Sequence, residues 1–382
     1  MGQAAFGDQL PVTLLTGFLG SGKTTLLRRA LADRAFTDTA VVINEVGEIA
    51  IDHYLVDLVE GDVLELPGGC LCCAMREDLA QTLRGLIERR DAGAIRGFRR
   101  LVVETSGLAD PGPILFTFGA DGMLDQRLRL ARVVTLVDAV AGAATLDRFA
   151  EAARQAAVAD ALVISKTDLA LFDDALAVRL AALNPGAERI VGAEAQDPAA
   201  VLFGHEQDWK RHPRIMPGLD PGIHEPPTGA VRRHVDAHGS SPWAEGPRVK
   251  PGHDEDVHAA HTHGIATFTI VLQEPATALQ FAMALGGLAQ ARGYDLLRVK
   301  GIVAFADGPS RPAIVQAAQH TMFSPEWLDD WPDADRRSRL VFIVHDIAPD
   351  EILAHFTFAS PRLLHDEGPP PGGKPSLQQQ AR

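Results

Sequence analysis

The sequence predicts an α/β domain with a mostly parallel sheet, followed by a smaller α+β domain. In the first part of the chain, apolar strands alternate with amphipathic helices, which is typical of a parallel sheet. A glycine-rich loop joins the first of these strands to the first helix. A second group of strands and helices follows a long segment rich in Pro, Gly and His. We expect an α/β domain at 1–203, a disordered insert or linker at 204–261, an α+β domain at 262–360 and a disordered tail at 361–382.

The composition is that of a globular protein with an acidic surface. The chain has 382 residues, of which 46% are hydrophobic, and a formal net charge of −14. An excess of negative charge disfavours nucleic-acid binding, because a phosphate backbone is bound by a basic surface. No apolar run reaches the roughly 18 residues of a membrane helix, and the N-terminus lacks a basic segment followed by an apolar one. We expect a cytoplasmic protein that binds neither nucleic acids nor membranes.

The first strand and the first helix flank a phosphate-binding loop. The strand covers Leu10 to Thr16, and apolar residues recur at helical spacing after the loop. Between them, the motif G-x-x-x-x-G-K-[ST] is matched by Gly17, Phe18, Leu19, Gly20, Ser21, Gly22, Lys23 and Thr24. Glycines let the backbone N–H groups turn onto phosphate oxygens at a helix N-terminus. We expect Lys23 to reach the β- and γ-phosphates, Thr24 to ligate Mg²⁺, and Thr25 to complete the nucleotide-binding set.

Acidic residues follow two further predicted strands. Glu45 and Glu48 come directly after the strand at 40–44, in a loop where they can face Mg²⁺, water or a second metal. Solvated loop acids are the alternative. Glu104 ends the strand at 101–104, where nucleotide hydrolases hold Mg²⁺, usually through Asp. Gly107 could contact the γ-phosphate through its backbone, so the loop beyond it is a candidate switch.

All three cysteines lie together, at Cys70, Cys72 and Cys73. Thiolates suit Zn²⁺ or Cu(I), and a tetrahedral site needs a fourth ligand. Glu48, a histidine, water or a partner protein could supply it. An incomplete ligand set suits a transferable metal better than a structural one. A buried structural trio and a redox dithiol are the alternatives.

The strand at 161–164, which follows a helix predicted around Leu146 to Ala157, leads into a candidate guanine-binding loop. Ser165, Lys166, Thr167 and Asp168 approximate the [NT]-K-x-D element of GTP-binding proteins. Asp168 can accept two hydrogen bonds from guanine that adenine cannot donate, so the loop favours GTP over ATP. The Lys166 stem should lie against the base. Serine at the first position departs from the usual Asn or Thr.

Together these motifs resemble the CobW-type family of metal-handling P-loop GTPases, relatives of the nickel-inserting GTPases of urease and hydrogenase maturation. The resemblance is carried by Gly17 to Thr24, Asn44 to Glu48, Gly69 to Cys73, Glu104 to Gly107, Ala109 to Pro113 and Ser165 to Asp168. It implies a P-loop GTPase domain and a C-terminal α+β domain of the same type. Members often carry a glutamate where this chain has Ile43, so a metal ligand from that position is missing.

The resemblance also implies an activity. It is GTP hydrolysis, with Lys23, Glu45 and Glu104 in catalytic roles, coupled to binding of zinc or cobalt and delivery to a client metalloprotein. A non-enzymatic zinc buffer or sensor and a P-loop kinase are the rival interpretations. The sequence does not choose among zinc, cobalt and other soft metals. A homodimer is left open.

The remaining segments contribute less to the predicted chemistry. Scattered histidines in the insert could store zinc, but the better candidates for accessory ligands are His258, His261 and His263 at its end. The C-terminal domain is predicted from strands at 268–272, 296–306 and 339–345, and from helices at 275–291 and 349–358. No catalytic set occurs in it. Trp327 and Trp331 are expected to pack in a core or to meet a partner.

Overall fold

The computed structural model describes residues 9–44, 63–65, 74–192, 197–204 and 263–364, with the backbone alone at 44, 63–65 and 74–78. Several predicted features lie outside these residues. They are most of the insert, the tail from 365 onward, Glu45, Glu48, Cys70, Cys72, Cys73, His258 and His261.

The N-terminal domain is a parallel sheet flanked by helices. Its strands are β1 Leu10–Gly17, β2 Thr39–Asn44, β3 Val63–Glu65, β4 Arg100–Thr105, β5 Leu128–Asp138, β6 Ala161–Ser165 and β7 Glu188–Val191. Its helices are α1 Lys23–Leu31, α2 Ala74–Asp91, α3 Pro111–Ala120, α4 Gly122–Arg127, α5 Gly142–Arg148, α6 Ala150–Ala157, α7 Asp174–Leu183 and α8 Pro198–Phe203. The strand order is β3-β2-β4-β1-β5-β6-β7, and every pair is parallel. The predicted α/β architecture is confirmed.

The central strands are apolar because helices cover both faces of the sheet. In β1, Val12 and Leu14 are buried in the core on one face, and Leu15 is buried in the core on the other. This alternation follows from the two-residue repeat of a strand. It fixes the register of β1 and therefore the place where the carboxyl end of β1 continues into the phosphate loop.

Two helical predictions differ from the structure. A single helix was predicted from Leu146 to Ala157, but the chain is extended at Phe149, between α5 and α6. The Phe149 ring packs on Phe18 of the phosphate loop, with ring centroids 4.6 Å apart. The residues after Gly107 were expected to form a loop, but Pro111 and a second proline begin helix α3 there. Proline is favoured in the first turn, where its missing N–H costs nothing.

The C-terminal domain is an antiparallel sheet with two helices packed on it. Its strands are β8 Ile265–Leu272, β9 Arg298–Val303, β10 Ala313–Ala318, β11 Thr321–Met322, β12 Glu326–Trp327, β13 Ser338–His345 and β14 Pro361–Leu363. Its helices are α9 Ala278–Arg292 and α10 Pro349–His355. The order is β11-β10-β9-β13-β8-β14, with β12 paired to β10. This confirms the α+β prediction. The prediction that the disordered tail starts at 361 was wrong for β14, which pairs with β8.

One buried apolar cluster extends across the contact between the two domains, beside the separate core of the second domain. Ile265, Leu297 and Ile343 of the second domain belong to the same buried cluster as the helices of the first. Backbone carbonyls of the first domain accept hydrogen bonds from the second, at 3.2 Å from Thr267 Oγ1 to Leu183 O and 3.4 Å from Thr321 Oγ1 to Phe116 O. The second sheet is therefore packed directly against α3 and α7.

An ion cluster reinforces this contact. Asp160, just before β6, accepts hydrogen bonds from Lys300 Nζ at 3.0 Å and from the backbone N–H of Val133 at 2.8 Å. Arg298 Nη2 lies 3.5 Å from the same carboxylate. Burial by itself raises the pKa of Asp160, but Lys300 and Arg298 outweigh burial and lower that pKa to about 2. The carboxylate is ionised at neutral pH and joins the two domains.

None of the described helices is long and apolar enough to cross a membrane.

Candidate nucleotide site

The predicted nucleotide-binding residues meet at one edge of the parallel sheet. Strand β1 lies between β4 and β5 in the sheet. Strands β2 to β4 lie on one side of β1 and strands β5 to β7 on the other, so the chain crosses over β1 between β4 and β5. In open α/β sheets, ligands bind at such a crossing, outside the carboxyl ends of the strands. Gly17, Thr105 and Ser165 end β1, β4 and β6 at this edge. The described part of the site is built on these three ends.

The phosphate loop has the backbone that the motif predicts. Its three glycines have positive φ angles, of 141° at Gly17, 71° at Gly20 and 97° at Gly22, where α1 begins. Side chains other than glycine rarely adopt such angles. Lys23 Nζ donates to the Gly17 carbonyl at 2.7 Å and to the Phe18 carbonyl at 3.3 Å. The ammonium is thus held over the loop, where phosphate oxygens would lie.

The two predicted Mg²⁺ ligands are in contact. Thr24 Oγ1 donates a hydrogen bond to Glu104 Oε1 at 3.3 Å, although 80 residues separate them in the chain. Glu104 is 1% exposed, in register with Leu15 of β1 and Ile43 of β2. A hydroxyl and a carboxylate are hard oxygen donors, which Mg²⁺ prefers. These two side chains therefore fit a Mg²⁺ ion beside the phosphates.

Gly107 lies directly against the phosphate loop. A Cβ atom at this position would be 2.6 Å from the backbone nitrogen of Leu19, so only glycine fits without displacement. The segment continues to Asp110, whose side chain accepts from the Gly112 N–H at 2.9 Å and caps α3. A segment that begins beside the phosphate loop and ends at a helix has the placement expected of a switch.

The guanine-binding candidate also reaches the phosphate loop. Ser165 Oγ donates to the Ser21 carbonyl at 2.6 Å, so the unusual serine ties the two loops together through its hydroxyl. Lys166 has a positive φ of 56° and pairs with the carboxylate of Asp138, at the end of β5. Asp168 is exposed in the turn that follows. The loop therefore lies beside the phosphate loop at the same edge of the sheet.

A small cavity lies beneath the phosphate loop. Its volume is about 40 Å³, and Phe18, Ser21, Asp138 and Gln155 are among its lining residues. Gln155 is fully buried, and its Nε2 donates to the carbonyls of Gly107 at 3.2 Å and Ala109 at 2.9 Å. Ser21 Oγ and Gln155 Oε1 have no hydrogen-bond partner within the described part of the chain.

The predicted zinc ligands cannot be placed in this site. Glu48, Cys70, Cys72 and Cys73 lie outside the described residues, as does the catalytic candidate Glu45. Within the ranges that are described, no group of three or more His, Cys, Asp or Glu side chains could hold a metal ion. His263, a candidate accessory ligand, donates from Nε2 to the Leu146 carbonyl at 2.8 Å, because a carbonyl can only accept. One of its ring nitrogens is thus engaged in the contact between domains.

Sequence reasoning missed three contributors to the site. Asp138 could have been found, because it is an acid that directly follows an apolar strand, as Glu104 does. Arg154 holds Asp110 through an ion pair of 3.0 Å, and Gln155 holds the segment beside it. The partners of both lie more than 40 residues away, so no local pattern marks them.

Two segments of the chain match a known family. Residues 11–191 match the nucleotide-binding domain of CobW, HypB and UreG. Residues 265–359 match the C-terminal domain of the cobalamin synthesis protein cobW. The chain belongs to the CobW/HypB/UreG family. With this membership, the phosphate loop, the Thr24 and Glu104 pair and the S-K-T-D loop identify it as a P-loop GTPase.

Relatives in this family resemble all or part of the chain. Zinc chaperone YjiA of Escherichia coli is 30% identical over 349 residues, which cover 91% of this chain and 98% of that protein. The crystal structure of Zn(II)-bound YjiA GTPase superimposes with a TM-score of 0.61 at 27% identity, over 92% of this chain and 99% of that one. Zinc-regulated GTPase metalloprotein activator 1 of Schizosaccharomyces pombe is 36% identical over 182 residues, covering 45% of this chain and 42% of that protein.

Proposed function

We propose that this GTPase is a metallochaperone that binds zinc and delivers it to a client metalloprotein in a nucleotide-dependent way. Relatives named as zinc chaperones and as a zinc-regulated GTPase activator support the proposal. The observation that carries it is the contact of Gly107 with the phosphate loop. That contact gives the protein a segment able to meet the γ-phosphate, which GTP has and GDP lacks.

In this proposal the described residues bind and orient GTP. Lys23 meets the β- and γ-phosphates, and the backbone N–H groups of the loop donate to the remaining phosphate oxygens. Thr24 and Glu104 hold Mg²⁺, which when bound neutralises charge on the β- and γ-phosphates. Glu45, which lies outside the described residues, is assigned the role of orienting the attacking water and accepting its proton as the bond between the γ-phosphorus and the β-phosphate oxygen breaks.

Guanine selection is assigned to the loop after β6. Asp168 accepts hydrogen bonds from the ring N–H and the exocyclic amine of guanine, and the Lys166 stem covers the base. Adenine would leave the Asp168 carboxylate without donors, which costs a site of this kind up to roughly 10⁴-fold in preference. The ion pair between Lys166 and Asp138 holds the lysine in place.

We assign the zinc to Cys70, Cys72 and Cys73, with Glu48 as the fourth ligand; cobalt remains the other candidate cargo. Three thiolates and a carboxylate form a plausible tetrahedral set for Zn²⁺. Strand β2 ends at Asn44, opposite Thr105 of β4, so the chain leaves the sheet toward Glu45 at the nucleotide edge. Helix α2 begins at Ala74, directly after the last cysteine. The cysteine segment is thus joined at both ends to elements of the GTPase domain.

Nucleotide and metal would then be coupled through these connections. If GTP tightens zinc binding, zinc must tighten GTP binding by the same factor. A coupling of about 3 kcal/mol changes affinity about 150-fold, which is enough for capture in one state and release in the other.

The Cys72→Ala variant tests this assignment. We expect the variant to lose the effect of nucleotide on zinc binding and to keep its affinity for GTP without zinc, because none of the described nucleotide contacts involves this segment. Titration with Co²⁺ gives a second readout, since thiolate ligation produces a charge-transfer absorption that the variant should weaken. Coupling that survives in Cys72→Ala would contradict the assignment. Negligible GTP turnover with every metal and client tried would favour the zinc buffer or sensor.

A further inference from the structure

Helix α6 holds the segment that contacts the phosphate loop, and one side chain makes most of that attachment. Gln155 is fully buried, and its amide nitrogen donates to the carbonyls of Gly107 and Ala109, at 3.2 and 2.9 Å. An uncharged NH₂ group has two hydrogens, so each carbonyl can receive one. The neighbouring Arg154 pairs with Asp110 at the end of the same segment.

The attachment is rigid at its other end. The backbone carbonyl of Gln155 accepts from Thr135 Oγ1 of β5 at 2.7 Å. The C-terminal end of α6 is fixed by Asn184, whose Nδ2 shares its two hydrogens among the carbonyls of Ala156, Ala157 and Ala159 at 3.1, 2.7 and 2.8 Å. Any movement of the 107–110 segment relative to the sheet must therefore stretch or break the Gln155 hydrogen bonds.

The position of Gly107 depends on these bonds as well as on its packing against Leu19. Gly107 has no side chain to anchor it, and Leu108 beside it is 53% exposed. A buried carbonyl that loses its hydrogen-bond donor is destabilised, so the segment without Gln155 would relax away from α6. Relaxation would carry Gly107 away from Leu19, against which it is packed.

We propose that Gln155 is a positioning residue of the GTPase reaction. It holds the 107–110 segment in the place where Gly107 meets the γ-phosphate, and so sets how strongly the site prefers GTP to GDP. This inference rests on the proposed role of Gly107 as the γ-phosphate contact. Gln155 acts through the backbone of the segment, to which its amide nitrogen donates.

The test compares Gln155→Met with Asn184→Ala in the full-length protein. Methionine has a similar length and flexibility but no donor. Asn184→Ala loosens the other end of the same helix without touching 107–110. For each protein, the affinities for GDP and for a non-hydrolysable GTP analogue are measured with Mg²⁺, together with kcat and KM for GTP.

In Gln155→Met we expect affinity for the analogue to fall about fivefold, the size of about one net hydrogen bond, while GDP affinity changes less than about twofold. The value of kcat should fall at least as much, because the segment is misplaced when the γ-phosphate reacts. Asn184→Ala should lower thermal stability and leave the ratio of analogue to GDP affinity unchanged. If Gln155→Met does not fold, Gln155→Glu preserves the shape of the amide and replaces its donors with acceptors, and the same selective loss is expected.

Three results would overturn the inference. One is a Gln155 variant with a wild-type ratio of analogue to GDP affinity. Another is an equal change of that ratio in Asn184→Ala, which would show that α6 acts only as a general support. The third is a wild-type protein that binds analogue and GDP equally. That result would also contradict the proposed role of Gly107 as the γ-phosphate contact. It can be told apart from a failure of the Gln155 inference alone, because the wild type itself would show no preference for the analogue.

Discussion

Replacing Asp160 with asparagine should destabilise the protein by breaking the ion cluster between its domains. The carboxylate is 13% exposed and faces Arg298, which is 4% exposed, and Lys300, which is 24% exposed. Its pKa of about 2 lies below the ordinary value of 3.8. That difference corresponds to about 2 kcal/mol of stability at neutral pH. Removing one partner of a buried pair costs about 3 to 5 kcal/mol, but asparagine keeps an acceptor for the Val133 N–H. We expect a loss of about 2 to 4 kcal/mol.

The sign of the pH dependence follows from the lowered pKa. A carboxylate with a folded pKa below its unfolded value stabilises the protein above the unfolded value, and the contribution is lost as pH falls through the folded value. The difference in stability between wild type and Asp160→Asn should therefore be full above about pH 5 and shrink toward pH 2. Urea unfolding followed by circular dichroism at several pH values measures this difference.

A surface pair of the same chemistry provides the control. Asp329 lies 3.6 Å from Arg311, and the two side chains are 99% and 47% exposed. Asp329→Asn should change stability by less than about 1 kcal/mol, because exposed pairs contribute little. An Asp160→Asn variant as stable as the control, or a difference that does not shrink in acid, would refute the reasoning.

Three further predictions concern the nucleotide site. Ser165→Ala should weaken GDP and GTP binding by about fivefold, because it removes the hydrogen bond of 2.6 Å to the Ser21 carbonyl. A fivefold change corresponds to about one net hydrogen bond. Calorimetry would measure the affinities, and unchanged values would show that the two loops are held by other contacts. Asp168→Asn should lower the preference for GTP over ATP in competition binding, whereas unchanged selectivity would remove the loop from base recognition. Glu104→Gln should raise the Mg²⁺ concentration needed for half-maximal turnover, since the carboxylate would no longer balance the charge of the ion; an unaltered Mg²⁺ requirement would place the ion elsewhere.

Features set by local pattern or by general topology could be predicted from the sequence. The phosphate loop is a continuous motif, and its glycines adopt the positive φ angles that the motif requires. The contact between Thr24 and Glu104 spans 80 residues. It was still foreseeable, because the carboxyl ends of parallel strands gather at one edge of the sheet.

Contacts that depend on the packing of distant segments could not be predicted. Asp160 finds Arg298 and Lys300 about 140 residues later, across a domain boundary. Gln155 stands among alanines of an amphipathic helix, where nothing in the local pattern shows that a buried amide faces two carbonyls. The break at Phe149 was missed for a related reason: the residue is compatible with a helix, and its packing on Phe18 favours the extended conformation.

The serine of the guanine-binding loop shows how a departure from a motif can be resolved. The sequence alone could not tell whether Ser165 weakens the loop. In the structure its hydroxyl donates to the Ser21 carbonyl, so the position requires a hydrogen-bond donor that reaches this carbonyl. Serine and threonine both satisfy that requirement.

The most direct test of the account is the zinc affinity of the wild-type protein in its two nucleotide states. Competition with a chromophoric chelator, with Mg²⁺ present throughout, measures this affinity with a non-hydrolysable GTP analogue and with GDP. We predict much tighter zinc binding with the analogue, by up to about 150-fold for a coupling of about 3 kcal/mol. Equal affinity in the two states would contradict release of the metal on hydrolysis.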